Sequence, residues 1–145
     1  MMINDFSRIG ELISVHTQIS ELERQEAQLA TPKLTDLEYI PQIYEWFCEL
    51  SGDSGDGGKL DTDRKMQFLI IIIVFYSPIS LTGHRITNGI RDILADLLGY
   101  KSKSGVSNHL KNLVSTYDNY KGFKKEVDFL YDSIKSRLED RGMLP

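Results

Sequence analysis

The chain has 145 residues, of which 41% are apolar and 26% charged, so it is long enough to bury a substantial core. Its single cysteine excludes an internal disulfide and suits a reducing cytoplasm. The longest apolar run, at residues 68–76, is much shorter than the roughly 20 residues of a membrane span. Because no basic and apolar leader opens the chain either, we expect a cytoplasmic protein with no membrane contact.

The net charge of -4 conceals two parts of opposite sign. Residues 1–58 carry three basic and eleven acidic side chains, whereas residues 59–145 carry fourteen basic and ten acidic ones. This asymmetry is typical of a DNA-binding domain joined to a protein-contact segment. We therefore expect an acidic helical arm at 1–50 for oligomerisation or partner binding. A linker rich in glycine, serine and aspartate follows at 51–60, and a helical body at 61–145.

Residues 4–30 are predicted to form one long helix, with Asn4 as its N-cap and with Thr31 and Pro32 ending it. Apolar residues recur along it at alternating three- and four-residue spacing, and only Glu26 interrupts the pattern. These residues are Leu12, Val15, Ile19, Leu22 and Leu29. The spacing predicts a coiled coil, whose first four apolar residues would join a homodimer or higher homo-oligomer. The alternative is a helix packed on its own domain.

A second helix is predicted to begin near Pro41, because proline is tolerated in the first turn of a helix. Its apolar side comprises Ile43, Tyr44, Phe47 and Leu50. Trp46 is expected to anchor this helix by packing its large aromatic ring.

The next segment, residues 61–76, is ambiguous, because residues 70–74 are all β-branched and a buried strand would look the same. A cap at Asp61 or Thr62 and termination at Pro78 favour a helix. A helix that is apolar on all sides belongs in the middle of a bundle.

Residues 86–117 have the pattern of two amphipathic helices joined by a turn. The apolar positions are Ile86, Ile90, Ile93 and Leu97, then Val106, Leu110, Leu113 and Tyr117. This stretch resembles a helix-turn-helix DNA-binding unit, in which the small Ala95 lets the helices approach and Gly99 forms the turn. Residues 106–113, VSNHLKNL, are similar to the recognition helix of many bacterial repressors. The turn is one residue longer than the tightest form of the motif.

The face opposite the apolar stripe of the second helix is rich in hydrogen-bond donors and contains no carboxylate. The residues expected to hold phosphates at the start of this helix are Lys101, Ser102, Lys103 and Ser104. The residues expected to contact base edges are Ser107, Asn108, Lys111 and Asn112. Arg85 and Arg91, near the first helix, are expected to reach phosphates, although a solvated helix end is equally compatible with their positions.

Residues 65–137 also resemble a family of small proteins carried by gut-bacterial phages and mobile elements. In that family a YSP segment, a GLRD helix and a YKDF segment occur in this order. The corresponding residues here are YSP at 76–78, GIRD at 89–92 and YKGF at 120–123. The resemblance implies an origin in a phage or mobile element.

After residues 118–122, a turn too short for a β-hairpin wing, a final helix is predicted from apolar residues at helical spacing. These are Phe123, Val127, Leu130, Ile134 and Leu138. The predicted fold class is therefore all-α: a long N-terminal helix followed by a helical bundle that contains a helix-turn-helix and no wing.

No phosphate-binding glycine loop, paired histidines or cysteine cluster occurs in the chain, so we expect no enzyme, no cofactor and no metal site. His109 lacks a second ligand at i+3 or i+4, which favours a structural or phosphate-binding role. The sequence predicts a transcriptional regulator that binds double-stranded DNA. The alternative is a helical protein-interaction or assembly module whose acidic arm binds a protein partner.

Overall fold

The structure is a computed structural model that describes residues 5–52 and 60–145. The α-helices in these ranges are α1 (Asp5–Leu29), α2 (Ile40–Ser51), α3 (Thr62–Tyr76), α4 (Ile90–Leu98), α5 (Lys103–Asn119) and α6 (Lys121–Asp140). Short 3₁₀ helices occur at Leu37–Tyr39 and Pro78–Thr82, and no strand occurs in the described ranges. The predicted all-α class, with a long N-terminal helix before a bundle, is confirmed. The chain divides into two compact units, residues 1–31 and residues 32–145.

The first unit consists of α1, and each residue of this helix is exposed. Its large exposed apolar side chains are Phe6, Ile9, Leu12, Ile13, Val15, Ile19, Leu22 and Leu29. The helix ends at Leu29, one residue before the predicted end, whereas the predicted cap Asn4 lies outside the described residues. The coiled coil stays a prediction.

The second unit includes α2, which the sequence analysis assigned to the arm. Ile40, Ile43 and Phe47 are fully buried, and Trp46 is nearly so. The helix packs against α3, α4 and α6, so it is part of the body's core. The boundary expected at 51–60 therefore does not coincide with the observed division after Thr31, and residues 53–59 lie outside the described ranges.

α3 lies at the centre of the second unit, packed against α2, α5 and α6. The Asp61 carboxylate accepts a hydrogen bond from the Arg64 backbone N–H at 2.8 Å, which caps the helix. Except for Val74, every residue from Met66 to Tyr76 is buried. The helix predicted for this ambiguous run is confirmed, and β-branched residues are accommodated because tertiary packing outweighs their weak helix propensity.

α6 closes the core along the stripe that its spacing predicted. Phe123, Val127, Leu130, Ile134 and Leu138 are all buried. A single residue, Tyr120, separates α5 from α6, which leaves no room for a wing at this position. In the described part of the chain, none of the helices combines the length and the hydrophobicity that a bilayer crossing requires.

Candidate nucleic-acid interface

The predicted helix pair is present as α4 and α5, which pack against each other, but α4 begins later than expected. The prediction placed its start at Ile86, which is buried in the irregular segment before the helix. Gly89 has φ of 91°, a left-handed conformation that a helix cannot continue, so α4 starts at Ile90. Gly99, with φ of 73°, ends α4 where the sequence predicted the stop.

α5 turns its apolar side inward. Val106 and Leu113 are fully buried, Leu110 and Tyr117 are partly buried, and the helix packs against α3, α4 and α6. The residues that it exposes on the opposite side are Ser104, Asn108, Lys111, Asn112 and Ser115. No carboxylate lies on this face between Ser104 and Ser115, so it presents amide, hydroxyl and ammonium donors to solvent.

A cleft of about 370 Å³ lies beside α5, between this helix and the segment that leads into α4. The ionisable side chains lining it are His84, Arg85, Arg91 and Lys111, and none of its lining residues is acidic. The structure thus brings Arg85 and Lys111 to one cleft although 26 positions separate them in the chain. Three permanent positive charges around one concave surface give the cleft a positive potential, which would attract an anion.

Arg91 is held toward α5 by a hydrogen bond that its guanidinium donates to the Ser107 hydroxyl at 3.2 Å. Both side chains are partly buried. Ser107 therefore lies at the edge of the cleft, where it orients Arg91, and not in the middle of the exposed face. Arg91 thus lies at the rim of the cleft, and its contact with phosphates stays a prediction.

The predicted phosphate-binding residues lie in the first turn of α5 and in the two positions before it. Lys101, Ser102 and Ser104 are exposed, and Lys103 is the first residue of the helix. Ser102 occupies the N-cap position without a side-chain cap, and its hydroxyl pairs instead with the Ser104 hydroxyl at 2.6 Å. No acidic residue occupies this turn, so its backbone N–H groups and partial positive charge are suited to an anion.

The other edge of α5 contains a cluster that the sequence analysis did not predict. The His109 Nδ1 is hydrogen-bonded to the Tyr100 hydroxyl, and the two rings meet edge to face with centroids 5.2 Å apart. The Lys65 ammonium lies 5.1 Å from the centroid of the Tyr100 ring. A Cβ on Gly105 would come within 2.8 Å of this ring, so the glycine makes room for it. The only feature of the sequence that could have indicated this cluster is that Tyr100 and His109 lie nine positions apart, on either side of the start of α5.

Burial lowers the pKa of His109 below its usual 6.5, and the positive charge of Lys65 lowers it further. Burial also raises the pKa of Tyr100 to about 12, so its hydroxyl keeps its proton and can donate to a neutral imidazole. The cluster therefore holds the turn against α3 and α5 and gives His109 a structural role.

Stability should decrease as the pH falls below about 6.5, because the folded state favours neutral His109 more than the unfolded state does. The contribution is complete above the unfolded-state pKa and is lost as the pH falls through the lower folded-state value. Urea unfolding between pH 8 and pH 5 measures it. His109→Gln, which cannot protonate, should flatten this pH dependence, and an unchanged slope in that variant would contradict the assignment.

Comparisons with known proteins gave no match to a protein-family model, to a curated protein or to a solved structure.

Proposed function

We propose that this protein is a transcriptional regulator that binds double-stranded DNA with α5 and the adjoining cleft and associates through α1. It would act in the cytoplasm of a bacterial cell, encoded by a phage or mobile element as the resemblance over 65–137 implies. The observation that carries the proposal is the cleft, where Arg85, Arg91 and Lys111 converge beside the part of α5, from Ser104 to Ser115, that exposes no carboxylate.

The dimensions of α5 suit the major groove. A helix is about 10–12 Å wide with its side chains, and the groove is about 12 Å wide and deep enough to admit it. Asn108 and Asn112 would hydrogen-bond adenine edges, and Lys111 would donate to guanine. The other two cations of the cleft, Arg85 and Arg91, lie beside α5, where the phosphates of one strand would lie.

The test is fluorescence anisotropy with a random duplex and with a duplex enriched by selection from a random pool. Asn108→Ala or Lys111→Ala should cost about 1–3 kcal/mol on the selected duplex and relax its sequence preference, since both remove base-edge contacts. Lys101→Ala should weaken all duplexes alike and reduce the salt dependence, because it removes a phosphate contact. Lys125→Ala is the matched control, because Lys125 is an exposed lysine on α6 that does not line the cleft.

The exposed apolar side chains of α1 favour a second function. α1 exposes apolar side chains throughout its length and belongs to the acidic part of the chain, as a segment that binds a protein partner would. If the wild-type chain failed to bind random duplex even at low salt, the DNA-binding proposal would be abandoned in favour of a protein-interaction module.

A further inference from the structure

α1 combines weak intrinsic helix stability with exposed apolar side chains. It has 25 residues, about 37 Å at 1.5 Å per residue. It contains Gly10 and several β-branched residues, which have weak helix propensity. Its side chains nevertheless remain exposed, with Leu12 at 68% and Leu22 at 62%. Such a helix is marginal in water by itself, since most helical stability comes from packing an apolar face.

Two charged residues occupy heptad positions on either side of the central apolar residues of α1. Arg8 precedes Leu12 by four positions and Glu26 follows Leu22 by four, so both share the apolar face. We call the part of this face from Arg8 to Glu26 the seam. Its members are Arg8, Leu12, Val15, Ile19, Leu22 and Glu26, and Leu29 continues the same spacing beyond it. Arg24, by contrast, is paired within the helix with Glu21 at 2.6 Å, away from the seam.

We propose that two copies of α1 pair antiparallel through the seam. Arg8 and Glu26 are equally far from the middle of the seam, as are Leu12 and Leu22, and Val15 and Ile19. When the second helix runs in the opposite direction, Leu12 faces the partner's Leu22 and Val15 faces the partner's Ile19. Arg8 then faces the partner's Glu26. The two-fold axis repeats each contact, giving four apolar layers with an ion-pair layer at either end.

The charges of Arg8 and Glu26 favour the antiparallel over the parallel orientation of the two helices. In a parallel, in-register pair, Arg8 would face the partner's Arg8 and Glu26 would face the partner's Glu26, which places like charges together in two layers. The antiparallel pair turns both layers into attractive contacts. Charged side chains at coiled-coil interfaces select orientation and partner in this way, through the repulsion that they impose on the alternatives.

The orientation fixes the distance between the two attachment points of the bodies. Leu29 of each chain lies at an opposite end of the antiparallel pair, so the two are about 36 Å apart along the helix axis.

Charge exchange in the full chain tests the orientation. Sedimentation equilibrium without DNA should show that Arg8→Glu and Glu26→Arg each raise the dimer dissociation constant by on the order of tenfold or more, because each brings two like-charge contacts into the seam. The double exchange, Arg8→Glu with Glu26→Arg, should restore the wild-type constant. Arg24→Glu is the matched control for Arg8→Glu, since it makes the same change in net charge away from the seam and should leave the dimer intact. Equal constants for the singles and the double exchange would overturn the antiparallel pairing, and a monomeric wild-type chain would overturn the dimer.

Disulfide trapping gives an independent readout, with Cys48→Ala removing the native thiol. Oxidation of a mixture of Leu12→Cys and Leu22→Cys chains should cross-link one variant to the other. Leu12→Cys alone should stay uncross-linked, because its two thiols would be about 15 Å apart along the axis. Cross-linking of Leu12→Cys alone would instead establish parallel pairing. Both experiments omit DNA, so failure of the DNA-binding proposal would leave their results unaffected.

Discussion

Removing residues 1–58 should abolish cooperative unfolding of the remaining chain, whereas removing residues 1–31 should leave a folded protein. The longer deletion removes α2, whose Ile40, Ile43 and Phe47 are fully buried. Each such side chain contributes about 1.5–3 kcal/mol by its burial, and total stabilities of proteins are about 5–15 kcal/mol. Loss of α2 therefore removes an amount comparable with the whole stability and exposes the apolar surfaces that α2 covers on α3, α4 and α6.

The segment before α2 is also attached to the core. The backbone N–H groups of Lys33 and Leu34 both donate to the Phe75 carbonyl at 2.9 Å, and the Tyr76 hydroxyl donates to the Asp36 carbonyl at 2.6 Å. The shorter deletion keeps all of these bonds. Circular dichroism during thermal and urea unfolding compares the two truncated chains with the full one. A sigmoidal transition with an unchanged midpoint in the chain 59–145 would show that α2 is dispensable.

Phe68→Ala should destabilise the protein by about 3–5 kcal/mol, the usual cost of truncating a fully buried phenylalanine. Phe68 is completely buried on α3, and its ring meets those of Tyr44 and Phe47 edge to face at centroid distances of 5.2 and 5.3 Å. The substitution leaves a cavity where α2 and α3 join and removes both aromatic contacts. Urea unfolding monitored by circular dichroism measures the change.

Phe129→Ala is the matched control for this substitution. Phe129 lies on α6 with 59% of its surface exposed, so its truncation should change stability by about 0.5 kcal/mol or less. A double-mutant cycle between Phe68→Ala and Phe47→Ala should show non-additivity, because the two rings are in contact. Equal losses for Phe68→Ala and Phe129→Ala would contradict the central position of α3.

The central position of α3 also explains how α5 presents its polar face. α3 packs against the inner side of α5, where Val106 and Leu113 are fully buried. This packing fixes the rotation of α5 about its own axis. Asn108 and Lys111 consequently lie on the exposed side, whichever ligand that side binds.

The sequence by itself determined the all-helical class and the faces that α5 and α6 bury. It did not do so for α4, which buries Leu94 and Leu98, whereas the predicted Ile93 and Leu97 are only partly buried. The five apolar positions of α6 are all buried, and α3 begins after the Asp61 cap, because helical periodicity and capping act between residues a few positions apart. The orientation of α5 followed from the same local rule. Gly99 was also identified in advance, since glycine is the residue that most readily adopts the left-handed conformation required there.

The tertiary structure alone decided which elements share a core and which side chains share a site. The glycine-rich segment at 51–58 indicated a boundary, yet α2 packs into the body, because burial depends on partners distant in sequence. For the same reason no local pattern predicted that Arg85 and Lys111 would line one cleft, or that the Tyr100 hydroxyl would form a hydrogen bond with His109. Local spacing specifies the direction in which a side chain points from its helix, and only the packing of the helices specifies what it meets there.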